Sequence, residues 1–263
     1  MPIDDHEVAI AAAEAGAAVV RARYGNALGR VDKGGGDFAT EADIAAEQAI
    51  LAVLREHRPD DAITGEESGS TGPAAARRRW LVDPLCGILN YAARNPLVAV
   101  NVALHDAGSA RAAASADPFT GETFWTGGQF SRVRRDRHDH PLTPSPDSAL
   151  VDVNLDPPFD SHPARLLSAP GFTERFRPRV LSTTLALVWV ATGQRASYVT
   201  YGSVRESVHF AAAIAICEAA GCVVTGVQGQ PLHTGPGGLL VAADAATHAE
   251  LRDLVIASWS PAA

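Results

Sequence analysis

Apolar positions recur along the chain with two spacings, and these divide it into helical and extended segments. Residues 6–24 are rich in alanine and carry Val8, Ile10, Val19 and Val20, which predicts a helix closing near Gly25. Residues 40–43 have the form of a capping box and open a second helix that runs to about residue 56. Trp80-Leu81-Val82 is a short apolar run ending at Asp83-Pro84, which predicts a buried strand stopped by a residue without an N–H. Residues 62–64 read as a short strand, residues 97–102 alternate as another, and one more follows at 110–114. Residues 117–125 read as the turn and strand of an antiparallel hairpin. Charges, Pro and Gly over residues 127–147 read as a linker.

Beyond it the pattern changes. A strand is expected at 149–155, a helix capped by Ser182 at 183–191, a strand at 197–201 and a helix at 207–220. Strands at 223–225 and 239–242 and a last helix at 245–257 complete the chain. Strands alternating with helices predict an α/β half over residues 147–263, after an α+β half over residues 1–146. No fixed-period repeat is present.

Composition narrows the classes. A chain of 263 residues buries a sizeable core without disulfides, and three cysteines (Cys86, Cys217, Cys222) are too few for a disulfide framework. The net charge of −8 argues against nucleic acid and against an anionic membrane surface as partners. No apolar run reaches membrane-spanning length and the first residues are acidic, unlike a signal peptide, so the expected compartment is the cytoplasm.

Candidate chemistry lies at strand ends and loops. Asp83 ends a buried strand beside a tight turn, where a carboxylate serves as a metal ligand, as a catalytic group or only as a turn cap. Glu66 and Glu67 follow Gly65 at another strand end, as ligands or as solvated surface. Lys33 precedes three glycines, where backbone can approach a ligand closely, and Asp43 is either a cap or a site group. Arg77 to Arg79 read as a solvated loop or an anion patch.

The run from Trp80 to Tyr91 resembles the inositol monophosphatase signature Asp-Pro-Ile-Asp-Gly-Thr-x-Asn-Phe: Asp83, Pro84, Gly87 and Asn90 match it. Cys86 stands where that family has its second metal-binding Asp, and Ile88 where it has the Thr that helps activate water. Lys33, Asp37, Thr40 and Asp43 fall on the family's Lys and Asp-x-Val-Thr-x-x-Asp, and Gly65-Glu66-Glu67 on its Gly-Glu-Glu. In the second half, Val208, or His209 after a one-residue slip, replaces the Asp of Trp-Asp-x-Ala-Ala-Gly, and Leu181-Ser182 replaces a substrate-binding Gly-Ser/Thr. The resemblance implies a layered αβαβα sandwich. It also implies a first metal held by Glu66, Asp83 and the Leu85 carbonyl, with Asp43 on a metal-bound water, Glu67 near the nucleophilic water, and Lys33 screening charge.

Mg²⁺ prefers hard oxygen ligands and thiolate is soft, so these replacements predict no required cofactor, or a single weakly bound Mg²⁺. The expectation is a repurposed small-molecule enzyme, carrying out cyclisation, elimination or isomerisation. Cys86 and His209 would act as a nucleophile or acid/base pair beside Asp83, Glu67 and Asp43, with Lys33, Asp37, Ile88, Leu181, Ser182 and Val208 lining the substrate pocket. The alternatives are a one-metal phosphomonoesterase on a sugar, inositol or nucleotide phosphate, and a non-catalytic protein that binds a metabolite or partner. A homodimer is expected.

Overall fold

A computed structural model of the chain describes residues 3–26, 30–34, 37–73, 75–156 and 161–259, without the side chains of residues 30–34 and 37–39. Two compact units emerge. The first comprises Met1–Pro141, Thr183–Leu185 and Glu206–Ile216; the second comprises Leu142–Ser182, Ala186–Arg205 and Cys217–Ala263. The units are therefore not contiguous in sequence, and two short returns of the chain belong with the first.

In the first unit, among the described residues, α1 (Asp5–Arg23) leads to the hairpin β1 (Arg30–Gly34) and β2 (Asp37–Thr40), then to α2 (Glu41–His57). Next come β3 (Ala62–Gly65), β4 (Gly69–Thr71), β5 (Arg78–Cys86) and the short α3 (Ile88–Ala92). The remaining strands are β6 (Ala99–Asp106), β7 (Ser109–Ala116), β8 (Thr123–Thr126), β9 (Ser131–Arg135) and β10 (His138–Pro141). The capping box at Thr40 is formed: its hydroxyl accepts from the Ala42 N–H, and Asp43 accepts from the Thr40 backbone.

One eight-stranded sheet runs in the order β10-β9-β8-β7-β6-β5-β3-β4, with β3 and β5 parallel. One face of it carries α1 and α2. Val8, Ile10 and Val20 of α1 and Ile50 and Leu54 of α2 pack there against Trp80, Val82, Val100, Val102 and Leu104. Each such fully buried side chain contributes roughly 1.5–3 kcal/mol.

Three sequence expectations change here. Strand β5 does not stop at Pro84 but continues to Cys86 through a bulge: Asp83 pairs with Asn101 and Cys86 with Ala99. A bulge is one of the few places in a sheet that accepts proline, because the missing ladder bond falls where pairing is already broken. Residues 131–141 are not linker but the hairpin of β9 and β10, at the sheet edge, whose mixed charged positions hid the alternation. Arg78 and Arg79 are strand residues. Arg78 pairs with Asp5 at 2.9 Å and Asp61 at 2.8 Å, and Arg79 donates to the Thr64 hydroxyl at 3.2 Å.

In the second unit, β11 (Leu150–Val153) precedes α4 (His162–Leu167), α5 (Phe172–Arg175) and β12 (Arg177–Val180). Then come α6 (Leu185–Ala191) and β13 (Ser197–Thr200). Helix α7 (Ala211–Ala220), β14 (Val223–Thr225), β15 (Leu239–Ala242) and α8 (Ala245–Trp259) finish it. Helices α6 and α7 each begin within residues assigned to the first unit and end in the second. The sheet order is β12-β11-β13-β15-β14, parallel across β12, β11 and β13 and antiparallel beyond. Val151, Val153, Phe172, Phe176, Val199, Leu240 and Leu251 form its core. No described helix is long and apolar enough to cross a membrane.

Candidate active site

The bulge in β5 decides which side chains meet. Along β5 the residues facing α1 and α2 are Trp80 and Val82 before the bulge and Leu85 after it. Successive side chains of a strand alternate between faces, so residues three apart normally point opposite ways. The extra residue cancels that alternation, and Asp83 and Cys86 both point away from the helices. Asn101 on β6 and Ser115 on β7 lie in register with Asp83 on the same face.

Asp83 is fully buried. Its Oδ1 accepts the Leu85 N–H at 3.0 Å, and its Oδ2 lies 2.8 Å from His209 Nδ1. Burial alone would push this carboxyl up. The charge and hydrogen bond of His209, a hydrogen bond with Glu66 and the Leu85 N–H outweigh it and hold Asp83 below the usual carboxylate range. Glu66 follows β3, its N–H bonded to the Val82 carbonyl at 3.1 Å, and its Oε2 lies 4.0 Å from His209 Nδ1. Asp83, Cys86 and His209 each offer a donor atom, and the three atoms lie within 4.8 Å of one another. His209 sits in the turn just before α7, not on the helix the sequence predicted, and it is His209 rather than Val208 that reaches Asp83. Val208 is half-buried beside it.

Cys86 is only partly exposed, and burial, followed by the neighbouring Asp83 carboxylate, pushes its thiol well above the ordinary range. A thiol held protonated is a weaker nucleophile than a thiolate, although His209 does lie beside it. Ile88 is partly buried and packs against the core of the first unit. Leu181 and Ser182 belong to the second unit, where the Ser182 hydroxyl donates to Asp156 at 2.6 Å. The Thr183 hydroxyl accepts the Leu185 N–H at the start of α6, at 3.3 Å. Lys33 and Asp37 lie on β1 and β2, but their side chains fall outside the described part of the structure.

Asp43 is buried at the start of α2, and burial pushes its carboxyl up to about 6, with the Glu67 charge adding and the Thr40 bonds opposing. One residue that sequence reasoning passed over organises the neighbouring turn. Glu47, on the same face of α2 one helical turn after Asp43, is buried and accepts the N–H of Glu67 and of Ser68, each at 2.8 Å. Gly65 makes room for it, since a Cβ there would come within 2.7 Å of the Glu47 carboxylate. The signal was present: an acidic residue at i+4 on the apolar face of a helix. Thr184 was also missed. It hydrogen-bonds Cys86 and accepts from Asn101 Nδ2 at 2.9 Å, and Ser115 donates to Asn101 Oδ1 at 2.8 Å.

Comparison with known proteins shows the family and the fold. The model of the inositol monophosphatase family matches residues 4–259. A probable inositol 1-monophosphatase ImpA from Mycobacterium tuberculosis is 33% identical over 218 residues, 76% of this chain and 76% of its own. An inositol-1-monophosphatase ImpA from Mycolicibacterium smegmatis is 31% identical over 245 residues, 88% and 84% of the two chains. A protein named glucose-1-phosphate thymidylyltransferase from Streptomyces griseus is 38% identical over 114 residues, 42% of this chain and 44% of its own, so the match spans less than half of that relative.

Among solved structures, an IMPase from Thermotoga maritima superposes with a TM-score of 0.82 at 18% identity, covering 96% of this chain and 97% of that one. The suppressor protein SuhB from Bartonella henselae gives 0.85 at 23% identity, covering 95% and 97%. The layered mixed α+β fold is thus that of these structures. These matches overturn the expectation of a repurposed enzyme that has shed phosphatase chemistry: the relatives matched over most of their length carry inositol-1-monophosphatase names. The match to the family over residues 4–259, with relatives 33% and 31% identical over most of both chains, leads to one conclusion: this chain belongs to the inositol monophosphatase family.

Proposed function

We propose that the chain is a divalent-cation-dependent phosphomonoesterase acting on a small phosphate ester, of an inositol, a sugar or a nucleotide. The observation that carries this reading is the 31% and 33% identity, over most of both chains, to proteins named inositol-1-monophosphatase. The local chemistry agrees with it. Glu66, Asp83 and the Leu85 carbonyl are hard oxygen donors at neighbouring strand ends, the class of ligand that suits Mg²⁺. A Mg²⁺ ion bound by them supplies a Lewis acid that neutralises phosphate charge and acidifies bound water.

The chain's own residues prepare the site. Asp83 is kept ionised by His209 and the Leu85 N–H, and Glu47 fixes the backbone that carries Glu66 and Glu67. Asp43, with its carboxyl near 6, can hold or release a proton close to neutral pH. Within this reading Lys33 and Asp37 contribute charge on the substrate side, the assembly is a homodimer, and the compartment is the cytoplasm.

The test is release of inorganic phosphate from a panel of inositol, sugar and nucleotide monophosphates, with added Mg²⁺ and with a chelator. Release that needs the cation, and that falls by at least about 100-fold in Glu66→Gln and Asp83→Asn, is the expected result. Absence of release above blank across the panel, with Mg²⁺, Mn²⁺ and Zn²⁺ each supplied, would overturn the reading.

A further inference from the structure

We propose that Asp83, Cys86 and His209 form a mixed oxygen, sulfur and nitrogen site that takes a zinc-class divalent cation in preference to Mg²⁺. The inference deepens the phosphomonoesterase reading and rests on it for what the ion does, though not for whether the ion binds. The three donor atoms lie within 4.8 Å of one another. Donors about 2.0–2.3 Å from one tetrahedral ion lie roughly 3–4 Å apart, so small side-chain adjustments bring all three onto a common cation.

The donor set decides which cation. Mg²⁺ asks for oxygen ligands in octahedral array, and of these three residues only Asp83 offers one. Imidazole and thiolate favour borderline and soft ions such as Zn²⁺ and Co²⁺. Mg²⁺ therefore does not fit this trio, while the all-oxygen donors Glu66, Asp83 and the Leu85 carbonyl still suit it.

The donors are also supported from behind, as metal ligands usually are. The Leu85 N–H holds Asp83 Oδ1 at 3.0 Å, which leaves Oδ2 toward His209. Thr184 hydrogen-bonds Cys86 and is itself held through Asn101 and Ser115. Three protein donors leave a fourth tetrahedral position for water or a phosphate oxygen, the pattern of catalytic zinc sites. Binding displaces the Cys86 thiol proton to solvent, because the thiolate is the ligand.

The experiment uses the full-length chain, stripped with chelator and then given Zn²⁺ or Co²⁺ against a millimolar excess of Mg²⁺. The expected result is a single zinc ion per chain retained through desalting. The Co²⁺ form should show thiolate-to-cobalt charge-transfer absorption in the near ultraviolet. Cys86→Ser should abolish that absorption, and both Cys86→Ser and His209→Ala should weaken zinc binding by at least about 100-fold. Thermal melts of the stripped variants check that they fold, and Cys86→Asp, which restores an oxygen donor, should shift preference back toward Mg²⁺.

Failure to retain zinc, or equal retention by Cys86→Ser and His209→Ala, overturns the site and leaves Asp83–His209 as an ion pair only. Phosphate release with Mg²⁺ by protein that fails to retain zinc when zinc is supplied overturns this inference while the phosphomonoesterase reading stands. Zinc held through Cys86, with no phosphate release under any cation, does the reverse.

Discussion

At the scale of single residues, the site is built from groups whose protonation is set by burial and partners together. Asp83 and Asp43 are both buried carboxylates, yet they are driven in opposite directions. Asp83 has a histidine, Glu66 and an N–H to favour its charge, whereas at Asp43 desolvation and the Glu67 charge outweigh the Thr40 bonds and its own backbone N–H. Because the Asp43 carboxyl is raised from 3.8 to about 6, the folded chain binds that proton more tightly than the unfolded one. The stability this contributes is fully present below pH 3.8 and is lost as pH rises through about 6. The effect is on the order of 3 kcal/mol as an upper bound. Asp43→Asn resembles the protonated form at every pH. The melting temperature of the chelator-treated wild type should therefore fall, relative to Asp43→Asn, between pH 4.5 and 7, by several degrees for a change of this order. Parallel melting profiles for the two proteins would show that Asp43 does not carry this linkage.

Among the elements, the turn between β3 and β4 and the bulge in β5 matter most. Glu47 on α2 holds the turn through two backbone N–H groups, and Gly65 gives it the space to approach. Glu47→Gln keeps the shape but turns one acceptor oxygen into an NH₂ group that faces an N–H. Leaving a buried donor unpaired costs about 1–3 kcal/mol. The urea midpoint should drop accordingly, and phosphate release should drop with it, because Glu66 and Glu67 ride on that turn. An unchanged midpoint together with unchanged turnover would show the turn to be held by other contacts. At Gly87, which caps α3 with a φ of 104°, the chain leaves the bulge in a conformation that L side chains rarely adopt, so the strand end depends on glycine there.

For the molecule as a whole, the first unit is assembled from three separate stretches of chain. Residues 183–185 and 206–216 bring Thr184 to Cys86 and Asn101, and His209 to Asp83. A chain that ends at Pro141 lacks all of them, leaving buried Asp83 and Asn101 without those partners. Such a fragment should unfold at lower urea and with a broader transition than the full chain, and should bind a hydrophobic dye. Cooperative unfolding at the full-length midpoint would show that the returning segments add nothing to the stability of this unit.

The polarity pattern by itself determined much of the element list: the long helices α1, α2 and α8, the capping box at Thr40, and strands β14 and β15, which fall on the expected residues. Those are local properties, set by periodicity and by groups three or four residues apart. The family signature around Asp83 was legible for the same reason. Tertiary structure alone decided what faces what. A one-residue bulge turned Asp83 and Cys86 to the same side, and pairing between distant strands aligned Asn101 and Ser115 with them. A turn more than a hundred residues downstream then supplied His209, with |i−j| of 126. Face parity after a bulge, and partners that far apart in sequence, leave no trace in local spacing, because they arise only when the backbone closes its ladder and buried polar groups find their hydrogen bonds.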